Sequence, residues 1–399
     1  MRIVHTSDWH LGRSFGDVSL AHDQAAFADW FVELVSVESC ELVVIAGDIY
    51  DRAVAPTSAI DLFRDTLRRL LGTGATVVVI TGNHDGADRV AAYSELLDLS
   101  GLILRGGYDG VGEVIRREFS DGPLDLVLLP FLDPQVAPDS FGVADGAAGA
   151  DTADGTDVAE LLDRRRRRTH ESVLQDAVDL VRPHLTAPRS VAVAHAFVAG
   201  GAESESERQL TVGGTGQVAA DVFDGFSYTA LGHLHRPQHV GVPEIRYSGT
   251  PLPYSFSEDH PKSVTIVELA ADGSCDVSEV RVPVGRSAVT IEGPIDDLLR
   301  PDSHPEAHDA FVRATVTDRE TVLEAKARLQ AVYPHIVEVR LQPTRAEGEA
   351  EASAPDLREV TPFDAVLQFW EAAEGAPPDD AMSELLREVV EVCVRRVES

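Results

Sequence analysis

Five short stretches hold the residue types that bind divalent metal: Asp8-Trp9-His10, Gly47-Asp48-Ile49-Tyr50-Asp51, Gly82-Asn83-His84-Asp85, the single His195, and Gly232-His233-Leu234-His235. Carboxylate and amide oxygen mixed with neutral imidazole nitrogen suits Mn²⁺, Fe²⁺ or Zn²⁺ better than Ca²⁺. A two-metal hydrolytic site keeps its ions about 3.5–4 Å apart and needs a ligand that bridges them. Asp48, with two oxygens and a glycine beside it, is the natural bridge. Taken singly the stretches are ordinary. A buried histidine is commonly structural, an Asp at a strand end commonly caps a helix, and GNHD passes for a turn.

What makes them a set is where they fall. β-rich runs cover Arg2–Thr6, Glu41–Ala46, Thr76–Thr81, Leu124–Leu129, Ser190–His195, Tyr228–Leu231 and Ser263–Leu269, and the polar groups follow the ends of five of these. In layered α/β folds ligands bind outside the carboxyl ends of the strands, so groups spread over more than 220 residues can converge on one point. Ala21–Val37 and Pro56–Leu71 carry apolar residues at three- and four-residue spacing and read as helices, with Pro56 in a first turn.

The expected organisation is a layered α/β (α+β) β-sandwich flanked by helices over residues 1–284, followed by a small α/β cap over 285–344. The cap reads as strand Ala288–Glu292, helix Ile295–Leu299, strand Phe311–Thr317, helix Arg319–Val332 and strand Ile336–Leu341. Residues 345–356 are Glu- and Ala-rich and read as a linker, and 357–399 hold two helical patterns, Pro362–Ala373 and Asp380–Val397. Ala137–Asp157 reads as a loop or disordered insertion. The run Arg164–Arg168 is a solvated helix face or a phosphate-contacting patch.

At 399 residues with 44% hydrophobic and 25% charged residues, the chain can bury a large core plus a smaller module. No apolar run reaches the roughly 18–20 residues of a membrane span, and no secretory signal is visible, so a cytoplasmic protein with no membrane association is expected. Cys40, Cys275 and Cys393 match neither a disulfide framework nor a thiolate zinc site. The net charge of −33 argues against a surface that grips nucleic acid along its length, so phosphate must be held locally. Two divalent ions would do this, with Arg13, Arg52, Arg89, Arg236 and Lys262 close to the motifs in sequence.

The ordered motifs D-x-H, G-D-x-x-D, G-N-H-D/E, lone H and G-H-x-H resemble those of the calcineurin-like metallophosphoesterases. The extension Ser7-Asp8-Trp9-His10-Leu11-Gly12-Arg13, the stretch Tyr247–Leu269, the cap and the C-terminal helix pair are similar to the SbcD branch, the nuclease subunits of bacterial SbcCD complexes. The resemblance implies one metal on Asp8, His10, Asp48 and His235, and a second on Asp48, Asn83, His195 and His233. His84 would protonate the leaving oxygen, with Asp85 holding its ring. Asp51 stands where archaeal and eukaryotic members carry a second histidine, and reads as orienting a ligand or a neighbouring backbone. The implied activity is Mn²⁺-dependent 3′–5′ exonuclease action on duplex DNA, with endonuclease action on hairpins and blocked ends, in DNA repair, recombination and replication. The implied partners are an SbcC-like ATPase with a coiled coil and a second copy of the chain within a heterotetramer. The C-terminal helices would dock the ATPase, or else fold back on the core.

Two other readings remain open. "GDIYDR" is similar to the GDxxDRG of protein Ser/Thr phosphatases, with Arg52 in the phosphate-binding place, although Ala53 replaces the glycine. A non-catalytic scaffold for the ATPase would keep the fold and lose the chemistry.

Overall fold

The computed structural model describes residues 1–92, 94–108, 110–138, 141, 168–207, 216–300, 302–320, 322–342, 361–374 and 376–397. The main elements run β1 (Arg2–Thr6), α1 (Ala21–Val37), β2 (Leu42–Ala46), α2 (Thr57–Gly72), β3 (Thr76–Ile80), β4 (Leu102–Arg105), β5 (Ile115–Phe119) and β6 (Gly122–Leu129). After these come α3 (His170–Val181), β7 (Ser190–His195), β8 (Tyr228–Gly232), β9 (Gln238–Val240), β10 (Val242–Tyr247), β11 (Ser263–Leu269) and β12 (Cys275–Arg281).

They build two six-stranded sheets, ordered β12-β11-β1-β2-β3-β4 and β9-β10-β8-β7-β6-β5. In the first sheet β1 to β4 are parallel and β11 and β12 add antiparallel at one edge, whereas in the second β10, β8, β7 and β6 are parallel and β9 and β5 close both edges antiparallel. Strands covered on both faces need continuous apolar runs, and "LVVIA" and "TVVVI" supply them. Their two parities go to different cores, because successive side chains leave a strand on opposite faces. Leu42, Val44, Ala46, Val78 and Ile80 meet Leu126, Leu128, Val191 and Val193 of the second sheet. Val43, Ile45, Val77 and Val79 pack on Phe27, Phe31, Phe63 and Leu70 of α1 and α2. Ala192 and Ala194 meet Val173, Leu174, Ala177 and Val178 of α3. The result is helix, sheet, sheet, helix, the layered α/β sandwich expected.

The seven anticipated strands are present, within two residues at their ends. β4, β5, β9, β10, β12 and α3 were not anticipated. The edge strands β5 and β12, IRREF and CDVSEVR, are rich in charged residues and lack the long apolar run that marks an inner strand. α3 had a local signal in its capping box: Ser172 N donates to Thr169 Oγ1 (3.1 Å) and Thr169 N to Ser172 Oγ (2.9 Å).

Beyond the sandwich, β13 (Ala288–Gly293), β14 (Phe311–Val316) and β15 (Ile336–Leu341) form a parallel three-stranded sheet. Its own core holds Ile291, Val312, Ala314, Leu329 and Tyr333. The helix expected over Arg319–Val332 is only α4 (Ala325–Gln330), because Glu324 before it is left-handed at φ 53°. Phe15 stacks on Phe311 at 4.7 Å, and Arg286 pairs with the buried Asp23, which ties this sheet to the sandwich. Residues 1–343 form one compact unit and 344–399 another.

In the second unit, α5 (Pro362–Glu374) and α6 (Asp380–Val397) coincide with the two expected helices to within a residue. The Arg387 guanidinium lies 4.5 Å from the centre of the Phe363 ring, while Phe369, Leu385 and Val389 are exposed. Among the described residues no helix is long and apolar enough to cross a membrane. Residues 345–356, Arg164–Arg167 and most of Ala137–Asp157 lie outside the described residues. Arg168 is described, and it donates to the Ala137 carbonyl (3.1 Å) and pairs with Asp176 (3.5 Å).

Candidate metal centre

The loop after β1 is fastened to the loop after β2 by three amide bonds: Asp8 N to Gly47 O (3.0 Å), His10 N to Asp48 O (3.0 Å) and Leu11 N to Ile49 O (2.8 Å). Asp8, His10, Asp48 and His233 all have positive φ (55°, 43°, 49° and 110°). Non-glycine residues held there cost about 1–3 kcal/mol each and gather at functional sites. Two motif glycines have steric reasons. A Cβ on Gly82 would lie 2.2 Å from Asp48 Oδ1, and one on Gly232 would lie 1.9 Å from the Ala46 carbonyl oxygen.

These loops bring donor atoms from both sheets together. Single donors of Asp8, His10 and His235 lie within 4.8 Å of one another, as do those of Asp8, Asp48 and His195, and those of His10, Asp48 and His84. Asn83 Oδ1 sits 3.0 Å from His195 Nε2 and 3.2 Å from His233 Nδ1. His195 Nδ1 donates to the Ala46 carbonyl at 2.9 Å, which leaves Nε2 facing Asp48 Oδ2 at 3.5 Å. Asp8 accepts from Ser7 Oγ (2.5 Å) and from His233 N (3.1 Å to each oxygen).

The centre fits divalent metal on two observations. His10 is fully buried, yet neither ring nitrogen has a hydrogen-bond partner among the described residues, and a buried imidazole without partners costs desolvation energy that a coordinated ion would offset. The charges are also unbalanced. Burial pushes Asp8 up to about 6 and opposes the anion at Asp48 too, but His195 holds Asp48 well below the carboxylate range. Burial would lower His195, and Asp48 instead raises it to about 9. A divalent ion would supply that counter-charge and leave His195 neutral. Burial holds His10 well below its ordinary value and His233 down at about 3, which keeps both rings in the neutral, metal-binding form.

One expected role is corrected. Asp85 does not hold the His84 ring. Its oxygens accept from Gly82 N (2.9 Å), Ile49 N (3.1 Å) and Tyr50 N (2.9 Å), so it fastens the second and third motif loops together. Burial and Asp48 push Asp85 up to about 7 against those three donors. The His84 ring is held by the Asp51 carbonyl, 2.9 Å from Nδ1, while the His84 amide donates to Asp48 Oδ1 at 2.8 Å.

Of the basic residues, Arg13 is at the centre: its guanidinium lies 4.8 Å from the Tyr254 ring centre and 3.5 Å from Asp51 Oδ1. Arg236 pairs with Asp259 at 2.9 Å, and Arg52 and Arg89 are exposed. Lys262 is half-buried, with its ammonium held by Glu258 and by Thr250 Oγ1 at 2.8 Å. Sequence reasoning missed Tyr254, whose hydroxyl donates toward the carbonyls of Trp9 (2.5 Å) and Asp8 (3.1 Å), and whose ring meets His10 edge-on at 5.2 Å. It also missed Glu258, Glu207 and Ser206 around His235. Glu258 lies in the mainly polar run Ser255–Lys262, where no local pattern set it apart from its neighbours.

The calcineurin-like phosphoesterase family matches residues 1–237, and the SbcD C-terminal domain, described as the type 5 capsule protein repressor C-terminal domain, matches residues 285–374. The chain is 30% identical over 400 residues to the SbcD subunit of the nuclease SbcCD of Bacillus subtilis (strain 168), covering 98% of this chain and 97% of that one. Among solved structures, that of TT1561 of Thermus thermophilus is 13% identical with a TM-score of 0.34, covering 70% of this chain and 99% of that chain. Motifs, sandwich and matched regions agree that the chain belongs to the calcineurin-like metallophosphoesterase family and carries the SbcD-type C-terminal domain.

Proposed function

We propose that the chain is an SbcD-like nuclease subunit that hydrolyses phosphodiester bonds of DNA with two Mn²⁺ ions. It acts as a 3′–5′ exonuclease on duplex ends and as an endonuclease at hairpins and blocked ends. The observation that carries the reading is the gathering of buried donors of Asp8, His10, Asp48, His195 and His235 into overlapping groups within 4.8 Å, with neither nitrogen of His10 hydrogen-bonded among the described residues. Asp8, His10, Asp48 and His235 would hold one ion, and Asp48, Asn83, His195 and His233 the other. Bound there, the ions supply Lewis-acid chemistry, lowering the pKa of water toward neutrality and neutralising phosphoryl oxygens.

His84 donates the proton to the leaving oxygen. The Asp51 carbonyl beside Nδ1 can only accept, so Nδ1 keeps its proton and Nε2 carries one only in the imidazolium. Donation therefore comes from the charged ring. Arg13, which lies over the Tyr254 ring, would meet a phosphate, with Arg52, Arg89 and Arg236 as outer contacts.

In this reading residues 1–284 are the nuclease domain, 285–344 the cap, 345–356 a linker and 357–399 the docking element for an SbcC-like ATPase. Two nuclease chains pair within a cytoplasmic heterotetramer that serves repair, recombination and replication. What supports the partner is the 30% identity to a subunit of SbcCD along nearly the whole chain, together with the exposed apolar residues of α5 and α6. The test is a comparison of specificity constants in Mn²⁺ on duplex DNA and on a phosphoserine peptide. Strong preference for DNA is expected, and comparable constants would support the phosphatase reading instead.

A further inference from the structure

Behind His235 runs a buried polar chain outside the five motifs. Glu258 is 3% exposed. Its Oε1 accepts from Ser206 Oγ (2.5 Å) and Tyr254 N (3.2 Å), and its Oε2 from Thr250 Oγ1 (3.0 Å) and the Lys262 ammonium. A carboxyl group met on both oxygens by donors, one of them cationic, is the anion and can only accept.

That sets the direction of the protons at Ser206, whose hydroxyl has three partners. With its one proton on Glu258, the Ser206 oxygen accepts from His235 Nδ1, 2.6 Å away, and from Ser204 Oγ at 2.9 Å. His235 therefore carries its proton on Nδ1, itself 3.4 Å from Glu258 Oε1, and keeps a lone pair on Nε2. The backbone is pinned as well: His235 N donates to Glu207 Oε1 (2.7 Å), and the His235 carbonyl accepts from Thr250 N (3.1 Å).

We propose that Glu258, acting through Ser206, is a positioning residue that fixes the tautomer of His235 and leaves its Nε2 lone pair free for the ion shared with Asp8 and His10. The proposal rests on the reading of His235 as a metal contact. Carboxylates behind metal-binding histidines set ligand orientation, and losing one typically costs about 10–100-fold in affinity. Glu258→Gln keeps the shape and reverses the chain. Its amide oxygen stays with the Lys262 ammonium, and its NH₂ takes the place of Oε1, giving up the bond from Tyr254 N and facing Ser206, whose hydroxyl then donates to His235 Nδ1 and drives the ring proton to Nε2.

The test uses the full chain, with calorimetric Mn²⁺ titration and ¹⁵N NMR of the imidazoles in the metal-free protein. For Glu258→Gln, one of two Mn²⁺ sites should weaken about 10–100-fold while the other is unchanged, and His235 should move to the Nε2–H form. Ser206→Ala, in the loop rather than the core, should weaken the same site about tenfold, and Ser206→Thr should restore it. Wild-type Mn²⁺ affinity in Glu258→Gln, or a ring still protonated on Nδ1 in that variant, overturns the proposal. If Glu258→Gln does not fold, unchanged affinity in Ser206→Ala does so. His235→Ala separates the two levels. Two wild-type sites in that variant would sink the metal assignment itself, whereas one lost site there with none weakened in the other variants sinks only the positioning role.

Discussion

His195 Nε2 lies 3.5 Å from Asp48 Oδ2, so a residue at the end of β7 in one sheet meets the loop after β2 in the other. The same carboxylate accepts the His84 amide through Oδ1 at 2.8 Å. Asp48→Asn keeps the shape and removes the charge. Mn²⁺ binding at both sites should fall by more than about 100-fold, beyond the cost of losing an outer partner, as calorimetry would measure. In the metal-free protein His195 should drop from about 9, because its raised value depends on the Asp48 anion. An NMR titration that leaves it there contradicts the pairing.

His84→Ala should leave two-site Mn²⁺ binding nearly intact and slow cleavage of DNA by about 10²–10⁴. The loss should be much smaller on bis(p-nitrophenyl) phosphate, whose leaving group departs without a proton. Equal losses on both substrates would remove the proton-donor role.

Acid sensitivity should reside partly in His5, which is not one of the metal donors. It is fully buried, its Nδ1 is 2.9 Å from the Tyr228 hydroxyl, and burial holds it at about 3. The unfolded chain takes this proton first as pH falls. The contribution of neutral His5 is therefore complete above about 6.5 and is lost as pH falls toward 3, with a slope of at most about 1.4 kcal/mol per pH unit. Urea unfolding at several pH values should show a flatter dependence in His5→Gln across that window. Parallel curves would refute the assignment.

Deleting residues 357–399 should spare Mn²⁺-dependent cleavage of a small diester and abolish binding of the proposed ATPase. α5 and α6 lie in a compact unit distinct from residues 1–343. Co-purification of the truncated chain with the ATPase at full affinity, or its aggregation, would show that the helices serve the core instead.

The residues that gather at the candidate centre were legible in the sequence because they sit directly after apolar runs. Strand periodicity and covered faces are local properties, and β2, β3 and β7 announce them without reference to anything distant. Seven of the eight inner strands and helices α1 and α2 followed from local patterns, whereas β10, whose run VPEIRY is broken by a proline and two charges, did not. Edge strands β5 and β12 did not either, since one face of each meets solvent and they are rich in charged residues. Tertiary structure alone decided the pairings that fix protonation and orientation: Asp85 on three amides, the Asp51 carbonyl on His84, and Glu258 reaching His235 through Ser206. Hydrogen bonds act over about 3 Å, and sequence spacing carries no information about which acceptor a folded loop will bring within that distance.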